Sequence, residues 1–150
     1  LWHKGSGSII KRVAKGLKYY TTGGIGVVDV RDVTKAMCDL MESEVVNQRF
    51  ILVSNNVSYK QFLTDLSEQL STAPPTKPIA KWKLVVFSKM DWFFSKLFGT
   101  KRKLLRTHVE SLYSFDHYDG SKITHSLPFK YIPYPETIRR VTQLFKKEND

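Results

Sequence analysis

A single cysteine, Cys38, rules out an intramolecular disulfide, so the fold of this chain must rest on packing. Cys38 follows Met37 inside a helix-patterned run with no histidine near it in sequence, which predicts a small core residue in a reducing compartment rather than a nucleophile. Long apolar runs are missing too, and none reaches the roughly 18 residues that cross a bilayer. Leu1-Trp2-His3-Lys4 shows neither the apolar stretch nor the small-residue cleavage pattern of a signal peptide, and Leu1 is not an initiator methionine. A cytoplasmic location is expected. His108, His117 and His125 have neither HxxxH nor HExxH spacing, so no metal site is expected. There is no RNP-type aromatic motif, no paired Cys/His, no basic zipper, no internal repeat and no low-complexity tract.

Acidic residues are also scarce, with 14 Asp and Glu against 24 Lys and Arg for a net charge of +10. The imbalance is local. Residues 1–22 hold no acid, residues 77–108 hold only Asp91 among many Lys and Arg, and residues 29–70 are richer in acids than in bases. A basic stripe of this kind serves as a solvated surface, as a face for a diphosphate-bearing substrate, or as a site for anionic lipid or nucleic acid.

What the chain does have is enough apolar content, 41% of 150 residues, for one domain with a real core. Gly5-Ser6-Gly7-Ser8 opens a helix-patterned run with Ile9, Ile10, Val13 and Leu17 on one face. Ser58 is placed to cap a helix whose apolar face is Phe62, Leu63, Leu66 and Leu70, and Pro74-Pro75 and Pro78 make Ser71 to Pro78 a loop. From Ile79 to Phe98 runs the most hydrophobic element, with Trp82, Val85, Val86, Met90, Phe93, Phe94, Leu97 and Phe98 at helical spacing, stopped by Gly99. It reads as a core or interface helix, the wall of an apolar substrate pocket, or a helix lying in a membrane interface between Lys81, Lys83, Lys89 and Lys96. Further helices are predicted at Lys101–Tyr113 and Pro135–Phe145, the latter burying Ile138, Val141, Leu144 and Phe145.

The most informative stretch is Gly24 to Glu42, GIGVVDVRDVTKAMCDLME. A β-branched run predicts a strand over Val27–Val30, which passes into a helix with Val33, Ala36, Met37, Leu40 and Met41 on one face. Arg49–Val53 then reads as a buried strand bounded by Ser54-Asn55-Asn56. Near the end come Tyr118-Asp119-Gly120-Ser121-Lys122-Ile123, then Leu127-Pro128-Phe129-Lys130-Tyr131-Ile132-Pro133, then Glu136-Thr137-Ile138. VDVRDV, RFILVS and this closing pattern, in that order, resemble the carboxy-terminal half of the extended short-chain dehydrogenase/reductases, among them NAD-dependent epimerase/dehydratases and dihydroflavonol-reductase-like enzymes.

The resemblance implies an α/β fold class: a single helix-rich, substrate-binding fragment over residues 1–150, lacking the nucleotide-binding Rossmann half. It implies a parent enzyme that uses NAD or NADP, bound mainly by the missing amino-terminal half, to oxidise or reduce a carbonyl or alcohol carbon of a sugar nucleotide or apolar ketone. This half contributes no catalytic and no cofactor-binding residue, but His3, Ser6 and Ser8 at a helix amino-terminus, with Arg102 and Arg106, fall where members of the family hold the substrate. The expected partners are the missing half, a small-molecule substrate and, across the orphaned surface, a second copy of the chain; no nucleic acid or membrane partner is expected. The alternative is a standalone basic module that binds acidic lipid or nucleic acid.

Two patterns mimic the family's machinery. Tyr118 and Lys122 have the Tyr-x-x-x-Lys spacing of its acid–base pair, but stand on the closing element rather than upstream. Gly23-Gly24-Ile25-Gly26 is followed by a strand instead of a helix, so it is read as a positive-φ turn and not as a dinucleotide fingerprint. Asp29, Arg31 and Asp32 are read as a capping and salt-bridge cluster.

Overall fold

Ser58 marks the clearest helix start in the sequence, and its Oγ accepts the Gln61 amide at 3.1 Å to open α3 (Tyr59–Gln69). The computed structural model describes residues 2, 5–98 and 106–149. Leu63 and Leu66 of α3 are buried against Ile10 and Val13 of α1 (Gly7–Ala14) and against Tyr134, Ile138 and Phe145 of α7 (Tyr134–Asn149). Phe62, Leu70 and Val141 pack around this three-helix core. The buried hydroxyls of Ser67 and Thr142 stay satisfied by donating to the carbonyls of Leu63 and Ile138, one helical turn back. Leu144, expected inside, is exposed, and Thr142 takes the inward position instead.

Two small sheets accompany the helices. Strand β1 (Tyr19–Tyr20) runs parallel to β4 (Lys77–Pro78), and β2 (Gly24–Val27) runs antiparallel to β3 (Asn55–Ser58) with Gly24 opposite Ser58 and Val27 opposite Asn55. Both strand predictions near these positions are corrected. The first strand ends at Val27 because Asp29, in extended conformation, caps α2 (Val30–Met41), whose helical geometry begins at Val30. Arg49–Val53 is unpaired among the described residues and is not a strand. The pairing partner of β2 lies two residues further on, and Phe50 and Leu52 instead pack against a second core of Ala36, Ile123 and Phe129.

On α2 the face that turns inward is narrower than its sequence suggests. Asp32 and Ala36 are buried, whereas Met37, Met41 and Cys38 are exposed, so Cys38 is not a core residue. The two inner residues are held by a polar corner. The Asp29 carboxylate accepts the Arg31 amide at 2.9 Å and pairs with the guanidinium groups of Arg31 at 3.1 Å and Arg140 at 3.3 Å. Arg31 also reaches Glu136 at 3.3 Å, and the Asp32 carboxylate accepts the Ile132 amide at 3.1 Å. The cluster read from Asp29, Arg31 and Asp32 therefore joins α2 to α7 and to the segment before it.

Helix α4 (Lys81–Phe98) is present as predicted, but the core reading of its apolar stripe fails for the described side chains. Trp82, Val86, Phe87 and Met90 are exposed, Leu84 and Val85 are half-buried, and among the described side chains of the helix only Ser88 is buried. Of the expected Lys101–Tyr113 helix, residues 101–105 lie outside the described set, as does Gly99, and the described part forms α5 (Arg106–Ser111), which ends before Tyr113. Val109 buries its inner face. The Asp119 carboxylate accepts the Ser121 amide at 2.8 Å at the start of α6 (Ser121–Ser126), but the cap position itself is Gly120, so Asp119 holds the first amide from one residue outside the cap.

Candidate functional site

Gly23 and Gly24, where β2 begins, let a loop close over the β2–β3 pair. Gly23 and Gly24 donate their amides to the carbonyls of Leu112 at 3.2 Å and Ser114 at 2.9 Å. A Cβ on Gly23 would stand 2.5 Å from the Ser114 carbonyl oxygen, and one on Gly24 would stand 2.1 Å from the Phe115 ring. Neither residue has positive φ, so the turn reading is corrected: these positions are glycine because backbone and ring pass directly over them.

The loop from Leu112 to Asp119 is then pinned along its length. Tyr113 donates its hydroxyl to the Ile79 carbonyl at 2.7 Å, Ser114 donates to the Asp116 carboxylate at 2.8 Å, and Phe115 stacks on His117 with 4.6 Å between centroids. Asn56 of β3 grips Tyr118 at both backbone groups, donating from Nδ2 at 2.9 Å and accepting at Oδ1 at 3.0 Å. Between this loop and the β2–β3 pair lies a cavity of about 410 Å3 lined by Gly24, Gly26, Ile51, Val53, Tyr59 and Asp116 among others. Val53 and Tyr118 also line an adjoining depression of about 540 Å3 that extends to Asn56, Asp119, Thr124 and Tyr131.

Its electrostatics follow from burial and hydrogen bonding. Desolvation raises the phenol pKa of Tyr59 and of Tyr131, keeping both as neutral donors. Tyr131 donates to the Gly120 carbonyl at 2.9 Å. The Ser121 amide holds the Asp119 carboxyl below its ordinary pKa, so it stays ionised. The groove thus offers backbone, phenol, amide and carboxylate groups to a ligand of a few hundred Å3.

Tyr118 and Lys122 do not form an acid–base pair. The Lys122 ammonium donates to the Arg49 carbonyl at 3.0 Å and lies 4.9 Å from the Phe50 ring centroid, so it serves the connector instead. Gly24 to Gly26 form a strand whose close spaces are filled by Phe115 and Val53, and the helix amino-terminus that follows, that of α2, is already capped by the Asp29 carboxylate, so this segment does not fit a pyrophosphate.

Of the substrate-binding residues expected from sequence, His3 and Arg102 lie outside the described residues, and Arg106 is described only as the first residue of α5. Ser6 occupies the cap position of α1 without a side-chain cap bond, and Ser8 donates to the Gly5 carbonyl at 2.7 Å. Neither lines the groove. The sequence reading missed Asn56, Tyr59, Asp116 and Tyr131. Asn56 had a signal, as the last of the polar Ser54-Asn55-Asn56 that bounds an apolar run, and Tyr131 stood in the closing pattern; Tyr59 had none, because a tyrosine at a helix start is equally a packing residue.

The arrangement defines a mixed, helix-rich α/β unit that matches part of an epimerase-like fold. No protein-family model matches the sequence, and no curated protein does. Among solved structures, gox2253 is similar with a TM-score of 0.72 at 16% identity, over 94% of this chain. PA4631, a nucleoside-diphosphate-sugar epimerase from Pseudomonas aeruginosa, is similar with a TM-score of 0.66 at 18% identity, over 96% of this chain. In both cases this chain spans 43% of the length of the other protein. At such identities the likeness is one of fold.

Proposed function

We propose that this chain is the substrate-binding portion of an NAD(P)-dependent epimerase, dehydratase or reductase that acts on a carbonyl or alcohol carbon and works together with a nucleotide-binding Rossmann portion. The observation that carries the reading is the match of nearly the whole chain to less than half of an epimerase chain, with a groove at the antiparallel β2–β3 pair. In this reading the β2–β3 pair, the Leu112–Asp119 loop and Tyr131 shape and orient the substrate, which is a sugar nucleotide or an apolar ketone. The cofactor belongs to the other portion, since the Gly24–Gly26 segment does not fit a dinucleotide. The parent enzyme is cytoplasmic, and the chain by itself is inactive.

The test has two parts. The coding sequence upstream should hold a strand–turn–helix of GxxGxxG type and a Tyr-x-x-x-Lys within roughly the preceding 150–180 residues, by ordinary domain size. Titration of NADH and NADPH by fluorescence should show no tight binding to the chain alone and restored binding and carbonyl reduction in the joined protein. Tight cofactor binding by the 150-residue chain, or an upstream region without either motif, overturns the reading.

A further inference from the structure

Helix α4 gathers exposed apolar side chains that no described element covers. Trp82 is 65% exposed and Phe87 59%, and Val86 and Met90 are exposed with them. At 3.6 residues per turn, Trp82, Val86 and Met90 form one line along the helix, which Phe87 broadens. Lysines edge this line. Lys81, Lys83 and Lys89 are all exposed, and the Lys83 ammonium sits 5.6 Å from the Trp82 ring centroid. Asp91 is the lone acid from residue 77 to residue 108, in a chain of net charge +10.

We infer that α4 is an interfacial helix that docks this chain on an anionic lipid surface. The line of Trp82, Val86 and Met90 enters the boundary between headgroups and acyl chains, and the lysines meet the lipid phosphates. No helix among the described residues is long and apolar enough to cross a membrane, so α4 lies on the surface rather than through it. Charge chooses this occupant over others. A second copy docked on the same face would bring lysine rows together, and protein interface cores are depleted in Lys. A nucleic acid would engage the lysines through its phosphates but would leave the apolar line in water. The other exposed ridge, Val30, Met37 and Met41 on α2, lacks this edge: Lys35 there is paired with Asp39. The inference does not depend on the substrate or cofactor of the enzymatic reading, but it requires α4 to stay uncovered when the Rossmann portion is joined. The test below is therefore run on the joined protein as well, and loss of binding on joining would assign the face to that portion.

The test is co-sedimentation of the chain with vesicles of phosphatidylcholine alone and of phosphatidylcholine mixed with phosphatidylserine. Binding should favour the anionic vesicles, weaken with salt, and shift tryptophan emission to the blue. Trp82→Ser with Phe87→Ser should lower partition by about tenfold or more, from lost apolar burial. Changing Lys81, Lys83 and Lys89 to Glu should lower it by about fivefold or more per lysine. Met41→Ser on α2 is the control and should change nothing. Equal partition to neutral and anionic vesicles, or none, overturns the inference with the wild-type chain alone, whatever the variants do. So does anionic binding that survives the aromatic double variant, which would mark plain charge attraction of the kind nucleic acid shares. A dimer in sedimentation velocity that the aromatic double variant dissociates would assign the face to a second copy.

Discussion

Removing the Asp29 carboxylate should cost far more than removing the Asp32 carboxylate three residues on, although both side chains are buried to within 2% of full burial. Asp29 caps α2 and accepts from the Arg31 amide and from two guanidinium groups. Asp32 accepts one amide, that of Ile132, and faces the charges of Asp29 and Glu136. Desolvation opposes the ionised Asp29 most strongly, but its bonds to Arg31, with the Arg31 and Arg140 charges, outweigh it and lower the pKa. At Asp32 burial dominates and the pKa is raised. Asp29→Ala removes the cap from a buried site and should cost about 2 kcal/mol, the upper end for helix caps, because its guanidinium partners are partly exposed and rehydrate. In a chain of this size that is a fall in Tm of roughly 4–8 °C. Asp32→Asn keeps an acceptor for Ile132 and removes a costly charge, so at neutral pH it should be at least as stable as the wild type.

The pH dependence has opposite signs at the two sites. The Asp29 contribution is present above the unfolded carboxyl pKa, about 3.9, and is lost as pH falls through its lower folded value. The raised pKa of Asp32 means that its ionised form costs stability at neutral pH, a cost relieved as pH falls through its folded value towards about 3.9. Urea unfolding followed by circular dichroism, repeated between neutral pH and pH ~3, reads both. Asp32→Asn should lose stability on acidification more steeply than the wild type, and Asp29→Asn less steeply. An Asp29→Ala protein within about 0.5 kcal/mol of wild type, the range of ordinary surface changes, would refute the reasoning. So would Asp32→Asn being the more damaging of the two asparagine variants.

The two glycines of the groove should separate in the same assay. Gly23→Ala drives a Cβ into the backbone of Leu112 and Ser114, which cannot move without breaking the loop pairing, whereas Gly24→Ala meets the Phe115 ring, which is 39% exposed and can rotate away. Gly23→Ala should cost about 2 kcal/mol or more and Gly24→Ala clearly less, by the usual range for overpacking; equal losses would show that Phe115 is fixed. In the joined enzyme, Tyr118→Phe should leave turnover nearly unchanged, because Lys122 is engaged at Arg49. A loss of about a hundredfold with folding intact, the scale of a missing general acid or base, would restore Tyr118 as a catalytic group.

Helices were legible from sequence where a cap and an apolar period coincide. Ser58 with Leu63 and Leu66, Asp29 with Ala36, and Asp119 before Ser121 all gave the right element because at each start a side chain holds an amide two or three residues on, from the cap itself at Ser58 and Asp29 and from one residue before it at Asp119. Strands were not legible to the same degree. Val27–Val30 and Arg49–Val53 have the composition of strands, but pairing depends on a partner, and the register chosen was Gly24–Val27 with Asn55–Ser58. Burial failed where composition is ambiguous: Met37 and Met41 fit an inward stripe on α2 as well as Val33 and Leu40 do, and only the packing of Ala36 against Ile123 and Phe129 fixes which side faces in.

The groove was the least legible part, and the reason is physical. Its walls come from residues far apart in sequence, with Gly24 and Asn56 on the β2–β3 pair, Asp116 and Tyr118 on the loop, and Tyr131 ahead of α7. Several of them stand in patterns the sequence shows, but no pattern says that these segments meet. What brings them together is close approach: glycine at positions 23, 24 and 120, where any Cβ would strike carbonyl oxygens or a ring, allows three segments to meet without an intervening side chain. At Gly120 the obstacle is the Val53 carbonyl, 2.1 Å from where a Cβ would lie, so the depression beside Tyr131 exists because residue 120 has no side chain. A sequence shows such glycines plainly but not what passes over them. They read as turns until the segment from Leu112 to Ser114 is seen to pair with Gly23 and Gly24, and that pairing, together with the two bonds from Asn56 to Tyr118, makes the loop a wall of the groove.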